Sequence, residues 1–370
     1  MQRSKSVTHE RMTTVPDLAL QRLHSQQLAK PKNKQPADVV ARLGALQAQD
    51  YAGMKWSVGL RVPGLTEAEV EQAIDDRKIL RTWAMRGTLH VVSPADIRWM
   101  LELLAPRIIA GNARRYKQLE LDNRTFVRSN DIIGTALEGR NQLDRPALVA
   151  ILEKRGIPAA GQRAPYLLQR AALDRLIFQG VMRGKDATFL LLDEAIPEVK
   201  ILTRPEALAE LAMRYFTSRG PATVRDFIWW SGLSRADANL GLDSIRSALA
   251  EETFEGQVYW MSRSPLSSVK SSNVLHLLPG FDEFLLSYKD RSVSMDVKQL
   301  RSLTPANGML PPTMVMNGKV IGIWNRTFRK GIVVIVPKPF GPLNAEQKRR
   351  IIDASERYGA FLGMSVDMAG

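Results

Sequence analysis

One plan recurs three times along this 370-residue chain: amphipathic helices followed by a short two-stranded hairpin. Repetition in the same order and at similar length points to duplication of one unit. The clearest copy runs from Asp144 to Asp193. Asp144-Arg145-Pro146 reads as an N-cap with proline in the first turn, opening a helix over Ala147–Arg155 that Gly156 and Pro158 stop. A longer helix over Ala164–Gln179 carries Leu167, Leu168, Ala171, Ala172 and Leu176 on one stripe and ends at Gly180. Val181-Met182-Arg183, a Gly184-Lys185-Asp186 turn and Phe189–Leu192 then read as a hairpin. The third copy has helices over Glu206–Ser218, Thr223–Trp230 and Ser234–Leu249, with Gly232-Leu233 as the turn. Its hairpin pairs Thr253–Glu255 with Val258–Met261 across Gly256. The first copy is looser: helices near Leu18–Gln27, Pro36–Gln47 and Glu67–Ile74, then Ile79–Met85 pairing with Thr88–Val92 around Arg86-Gly87. Helix, helix, hairpin is the winged-helix variant of helix-turn-helix.

After Lys270 the pattern changes to strands. Asn317-Gly318, between Thr313–Met316 and Lys319–Trp324, is a type I′ hairpin by composition. Ile332–Val336, after a basic Asn325–Gly331 turn, adds a third antiparallel strand, and Asn344 opens a terminal helix over Ala345–Ala360. The expected fold class is α+β: three tandem winged-helix units over 15–122, 123–202 and 203–269, then a β-rich C-terminal sheet or barrel over 270–370. Residues 1–14, polar and basic, read as a disordered tail.

Charge sets the outer limits on partners. With 52 Lys and Arg against 38 Asp and Glu, the net charge is +14, and the chain is drawn to polyanions. There are no cysteines, so disulfides, thiolate metal sites and cysteine nucleophiles are excluded. The four histidines, His9, His24, His90 and His276, have no metal-binding spacing, so no metal and no cofactor are expected. No Walker loop and no G-x-S-x-G or S-x-x-K nucleophile occurs. No segment has the roughly 20 apolar residues of a membrane span, so a cytoplasmic, soluble, monomeric protein is expected.

What remains is the polar cluster Leu46-Gln47-Ala48-Gln49-Asp50-Tyr51. On a continuing helix Gln47 and Gln49 point about 200° apart, whereas on an extended segment residues two apart share a side. The two amides converge only if the helix ends there, which Gly53 and the following loop allow. Otherwise Gln47 and Asp50 are ordinary solvated helix-end residues.

This cluster, Met85-Arg86-Gly87-Thr88-Leu89-His90, and Leu277–Arg291 with its Leu-Pro-Gly-Phe-Asp-Glu core resemble the signatures of the winged-helix DNA glycosylases, the AlkZ-like family. The resemblance covers the chain from Leu18 onwards. It implies a C-shaped clamp of tandem winged helices with a β-barrel, acting on double-stranded DNA to excise alkylated purines, with some members unhooking crosslinks at guanine N7. The family's catalytic mark is glutamine–apolar–glutamine, matched by Gln47, Ala48 and Gln49, while Asp50 lies one residue too late for the glutamine–apolar–aspartate variant. Asp50 remains a possible auxiliary carboxylate, and Thr88 and His90 alternate to one side of a strand and could face the site. A structural histidine is an equal reading of His90, and Trp56 and Trp83 read better as core than as stacking residues. Arg86, Asn317, Lys319, Arg326, Arg329 and Lys330 are candidate DNA contacts or solvated loop residues. Asp282 and Glu283 read as structural, paired by the Tyr288–Arg291 segment. The rival reading is a non-catalytic winged-helix regulator, for which a ligand-sensing domain is missing.

Overall fold

A computed structural model describes residues 15–197, 202–263, 273–296, 298–299 and 310–369. The expected tail over 1–14 lies outside them. In the first unit, helix Val15–Ser25 precedes helix Pro36–Leu43, which a capping box of Gln35 and Asp38 opens. Gly44 stops this second helix at φ +73°, a conformation that costs a glycine little. The helix therefore ends before Gln47, correcting the expected boundary, and the chain turns directly into strand β1, Ala45–Gln47. Helix Tyr51–Gly59 follows, with Asp50 as its N-cap, then helix Glu67–Asp75 and strands β2, Leu80–Trp83, and β3, Leu89–Val92. Arg86 and Gly87, at φ +54° and +73°, make the tight turn expected there.

Three helices, Ile97–Gly111, Ala113–Gln118 and Asn123–Leu137, lead to the second unit. That unit comprises β4, Leu143–Asp144, helices Arg145–Lys154 and Arg163–Leu173, and strands β5, Ile177–Arg183, and β6, Asp186–Leu191. The helix expected to run to Gln179 ends at Leu173 because Arg175 takes φ +65° and Leu176 bonds back to Ala171. Ile177 and Phe178 continue the apolar stripe in sequence but belong to β5. The two hairpins merge into one sheet of order β1-β3-β2-β5-β6-β4, joined where Arg81 of β2 meets Gln179 of β5.

The third unit has helices Arg204–Arg219, Val224–Ser231 and Arg235–Ile245, then β7, Leu249–Phe254, and β8, Gln257–Ser262, as a separate hairpin. Its last helix stops short of Leu249, which begins β7. The C-terminal sheet contains β9, Leu275–Leu278, β10, Thr313–Met316, β11, Lys319–Arg329, β12, Ile332–Pro339, and β13, Ser365–Met368, in the order β13-β12-β11-β10-β9. It is not purely antiparallel as expected, since β13 lies parallel to β12, returned by helix Ala345–Leu362. The Asn317-Gly318 turn forms with φ +51° and +78°. The expected Asn325–Gly331 turn is largely strand: β11 pairs with β12 as far as Arg329 opposite Ile332.

The units are cemented by buried ion pairs rather than by apolar contact alone. Arg61 holds Asp282 through both carboxylate oxygens, at 2.9 and 3.0 Å. Arg219 holds Glu283 at 2.8 Å and also donates to the carbonyls of Leu43 and Ala45. The partners of Asp282 and Glu283 are thus arginines of the first and third units, not the expected Tyr288–Arg291 segment. Burial pushes the Glu283 carboxyl up, but Arg219 and the Ser287 hydroxyl outweigh it and bring it to about 2.

Arg219→Met should therefore leave a buried carboxylate unpaired, at a cost of about 3–5 kcal/mol in urea unfolding. The sign for Glu283 is that of a depressed acid: its stabilisation is complete above the ordinary 4.5 and is lost as pH falls toward 2. Urea midpoints of the wild type should drop across that window more steeply than those of Glu283→Gln, and parallel pH profiles would contradict the assignment.

Candidate active site

Gly44 sets up the site by ending its helix, so that Gln47 stands on the edge strand β1 and Ala48-Gln49 follow in extended register. The Ala48 amide still donates to the Leu89 carbonyl at 2.8 Å, one step beyond the last strand pair. Two further contacts pin this strand end. The Gln47 amide donates to Glu283 Oε1 at 3.0 Å. The Ala48 carbonyl accepts Nε and Nη2 of buried Arg81, at 3.1 and 2.9 Å, while Nη1 of the same guanidinium donates to Gln179 Oε1 at 2.8 Å. Burial lowers Arg81 to about 10, so it remains charged at neutral pH.

Backbone donors also decide how the two side-chain amides face. Gln49 N–H donates to Gln47 Oε1 at 2.9 Å, and Leu89 N–H donates to Gln49 Oε1 at 3.3 Å. A backbone N–H can be accepted only by the amide oxygen, which fixes the oxygen and nitrogen ends of both side chains. Among the described residues no acceptor takes Nε2 of either glutamine. Gln47 is only 8 % exposed, whereas Gln49 is exposed. The site thus presents two oriented amides, each with free N–H donors and a second carbonyl lone pair, at the end of a strand held by a buried anion and a buried cation.

The remaining expected residues have other engagements. Asp50 caps helix Tyr51–Gly59 by accepting Gly53 N–H at 3.0 Å. Thr88 donates its hydroxyl to Met85 within the turn. His90 is fully buried and stands in the register row Gln47–His90–Thr82 across β1, β3 and β2. Its Nδ1 lies 2.9 Å from the Thr88 carbonyl, so that nitrogen carries the proton. Burial and then Arg86 lower His90 to about 4, which favours the structural reading of this residue. Arg86 donates to the carbonyls of Trp229 and Trp230, a cation at the end of helix Val224–Ser231 where the carbonyls are unpaired. Trp56 and Trp83 pack in the core, Trp56 donating to the Leu277 carbonyl. Lys319 donates to the Val293 carbonyl, Asn317 bonds Asn273, and Arg326 lies over the rings of Trp324 and Tyr358. Arg329 and Lys330 are exposed at the β11–β12 tip.

Sequence reasoning did not single out Arg81 or Arg219. Only the strand pairing brings Arg81 to Ala48, and nothing local signals it. A profile of the AlkZ-like DNA glycosylases matches residues 40–361. The chain belongs to that family. The AlkZ-like chain is 26 % identical over 332 residues to an interstrand DNA cross-link repair glycosylase of Streptomyces sahachiroi, covering 85 % of this chain and 88 % of that protein. Its fold matches the solved Streptomyces sahachiroi DNA glycosylase AlkZ with a TM-score of 0.80 at 22 % identity, covering 97 % of this chain and all of the other. This AlkZ-like protein is accordingly a DNA glycosylase.

A buried base with a depressed pKa destabilises the folded state as pH falls from its ordinary value to its folded one, because only the unfolded chain takes up the proton there. For His90 that window runs from 6.5 to about 4. Wild-type urea midpoints should fall across it more than those of His90→Asn. Excision should show no ionisation of His90 near pH 6.5, and a rate that drops with an apparent pKa near 6.5 in the wild type but not in the variant would overturn this assignment.

Proposed function

We propose that this glycosylase hydrolyses the N-glycosidic bond of N-alkylated purines, N7-alkylguanine first among them, with Gln47 and Gln49 orienting the attacking water. The observation that carries the reading is the pair of fixed amides with unclaimed donors. A purine alkylated at N7 is already cationic, so its bond to the sugar is weakened and the leaving base needs no general acid. What the reaction lacks is a placed water and stabilisation of an oxocarbenium-like sugar. The free lone pair on a glutamine carbonyl accepts a hydrogen bond from that water while the NH₂ donates to a sugar or phosphate oxygen. A neutral amide takes no proton, so the proton that the attacking water gives up passes to solvent, and preorganised dipoles and positioning supply the rate. Crosslinks through guanine N7 have the same weakened bond. The Streptomyces sahachiroi relative, by its name a cross-link repair enzyme, supports their inclusion among the substrates. The helix-helix-hairpin units are read as tandem winged helices that grip the duplex together with the C-terminal sheet as a clamp.

Gln47→Ala and Gln49→Ala should each slow excision of N7-methylguanine about 10²-fold, equivalent to roughly 2.7 kcal/mol, with binding to lesion DNA little changed. Alkali-labile abasic sites measure the rate, and wild-type rates in both folded variants would refute the assignment. The product should be an abasic site without strand cleavage, formed equally well in EDTA and giving no borohydride-trapped adduct.

Among the candidate DNA contacts, the exposed Arg329 and Lys330 are favoured over Lys319, whose ammonium is already held by the Val293 carbonyl at 2.7 Å. Arg329→Gln should weaken binding to all duplexes alike and flatten the log–log salt slope by about 1, whereas Lys319→Gln should leave the slope unchanged. A selection from random duplexes returning a sharp consensus would contradict backbone-derived binding.

A further inference from the structure

Trp229 is a large aromatic side chain left 36 % exposed at the end of helix Val224–Ser231. Its ring is held in place by a hydrogen bond from Nε1 to the Leu286 carbonyl at 3.2 Å. Two cations flank it: Lys289 Nζ lies 4.4 Å from the ring centroid, and the Arg291 guanidinium 5.9 Å. Arg291 is anchored through Nε to the Leu285 carbonyl, and the nearby Arg86 charge adds to burial in lowering its pKa. Among the described residues no carboxylate lies within 4.0 Å of the charged nitrogens of Lys289, Arg291 or Arg86. We propose that the Trp229 indole is a stacking shelf for a nucleobase of the bound DNA, with Lys289 and Arg291 holding the adjoining phosphates.

Place and chemistry both argue for it. Glu283 accepts the Gln47 amide on one oxygen and Trp230 Nε1 on the other, and Trp229 bonds to Leu286 on the same short helix, Glu283–Leu286. Arg86, which donates to the Trp229 carbonyl, sits in the turn that leads to Leu89, the residue holding Gln49. The shelf is therefore built on the elements that position the two glutamines. A fixed indole face beside unpaired cations is what binding of an unstacked base requires, since every base has a face to stack and a phosphate to neutralise. The exposed Lys289 covers the ring only by a cation–π contact and is released when a phosphate competes for its ammonium. The inference rests on DNA being the substrate and is independent of the roles given to Gln47 and Gln49, because its readouts are binding readouts.

The test uses the full chain and a duplex carrying N7-methylguanine. Trp229→Ala should weaken binding about 10-fold, and Trp229→Phe should recover most of the affinity. Quenching of tryptophan fluorescence by DNA should be smaller in Trp229→Phe than in the wild type. The double variant Lys289→Gln, Arg291→Gln should flatten the salt slope by about 2. Wild-type affinity in folded Trp229→Ala overturns the proposal, as does equal impairment of the Ala and Phe variants, which would assign the residue's whole effect to the Leu286 hydrogen bond. If Trp229→Ala does not fold, the fluorescence and salt-slope measurements decide, and no change in either overturns the proposal.

Discussion

The Glu283 carboxylate is the interaction on which the rest is hung. It is fully buried and accepts donors from four residues: the Gln47 amide of the first unit, Arg219 and the Trp230 indole of the third, and Ser287 of its own segment. A buried charge persists only when its lone pairs are spoken for, and here three of the four donor residues come from pieces that must be correctly docked for the charge to be tolerated. Assembly of the units and placement of strand β1 thus become one event. Arg219 extends the coupling, since its other donors reach the carbonyls of Leu43 and Ala45, on either side of the glycine that ends the helix.

The same logic explains why two neutral amides can be held firmly at the mouth of a site. Glutamine has three side-chain torsions and would lose much freedom on being ordered. Here the backbone N–H groups of Gln49 and Leu89 hold the amide ends, and Arg81 fixes the carbonyl between them. The ordering cost is met at folding, before DNA arrives, which is the condition under which a dipole contributes to rate.

Local signals carried a good part of this in the sequence. The Asn317-Gly318 and Arg86-Gly87 turns, the caps at Asp144 and Ser234, and the pairing of hairpins with helices were legible because each depends on a few adjacent residues. Gln47 and Gln49 stood out for the same reason, and the requirement that their helix end first is met at Gly44. What escaped depends on distant partners. Helix Arg163–Leu173 ends at a left-handed arginine rather than a glycine, so nothing in the local stripe announced strand β5. Helix Ile97–Gly111 contains Pro106, which hid it. The arginines that neutralise Asp282 and Glu283 lie 221 and 64 residues away.

The joining of β2 to β5 has a consequence for how such a chain can be divided. Repeated units suggest beads that could be separated at their linkers, yet the first two share one continuous sheet, closed where Arg81 meets Gln179. A cut near residue 123 would tear a sheet down its middle and leave each half with a bare row of backbone donors and acceptors, the template on which strands of neighbouring molecules pair. The shared edge makes the first two units a single heritable piece, whose halves cannot be exchanged or lost separately.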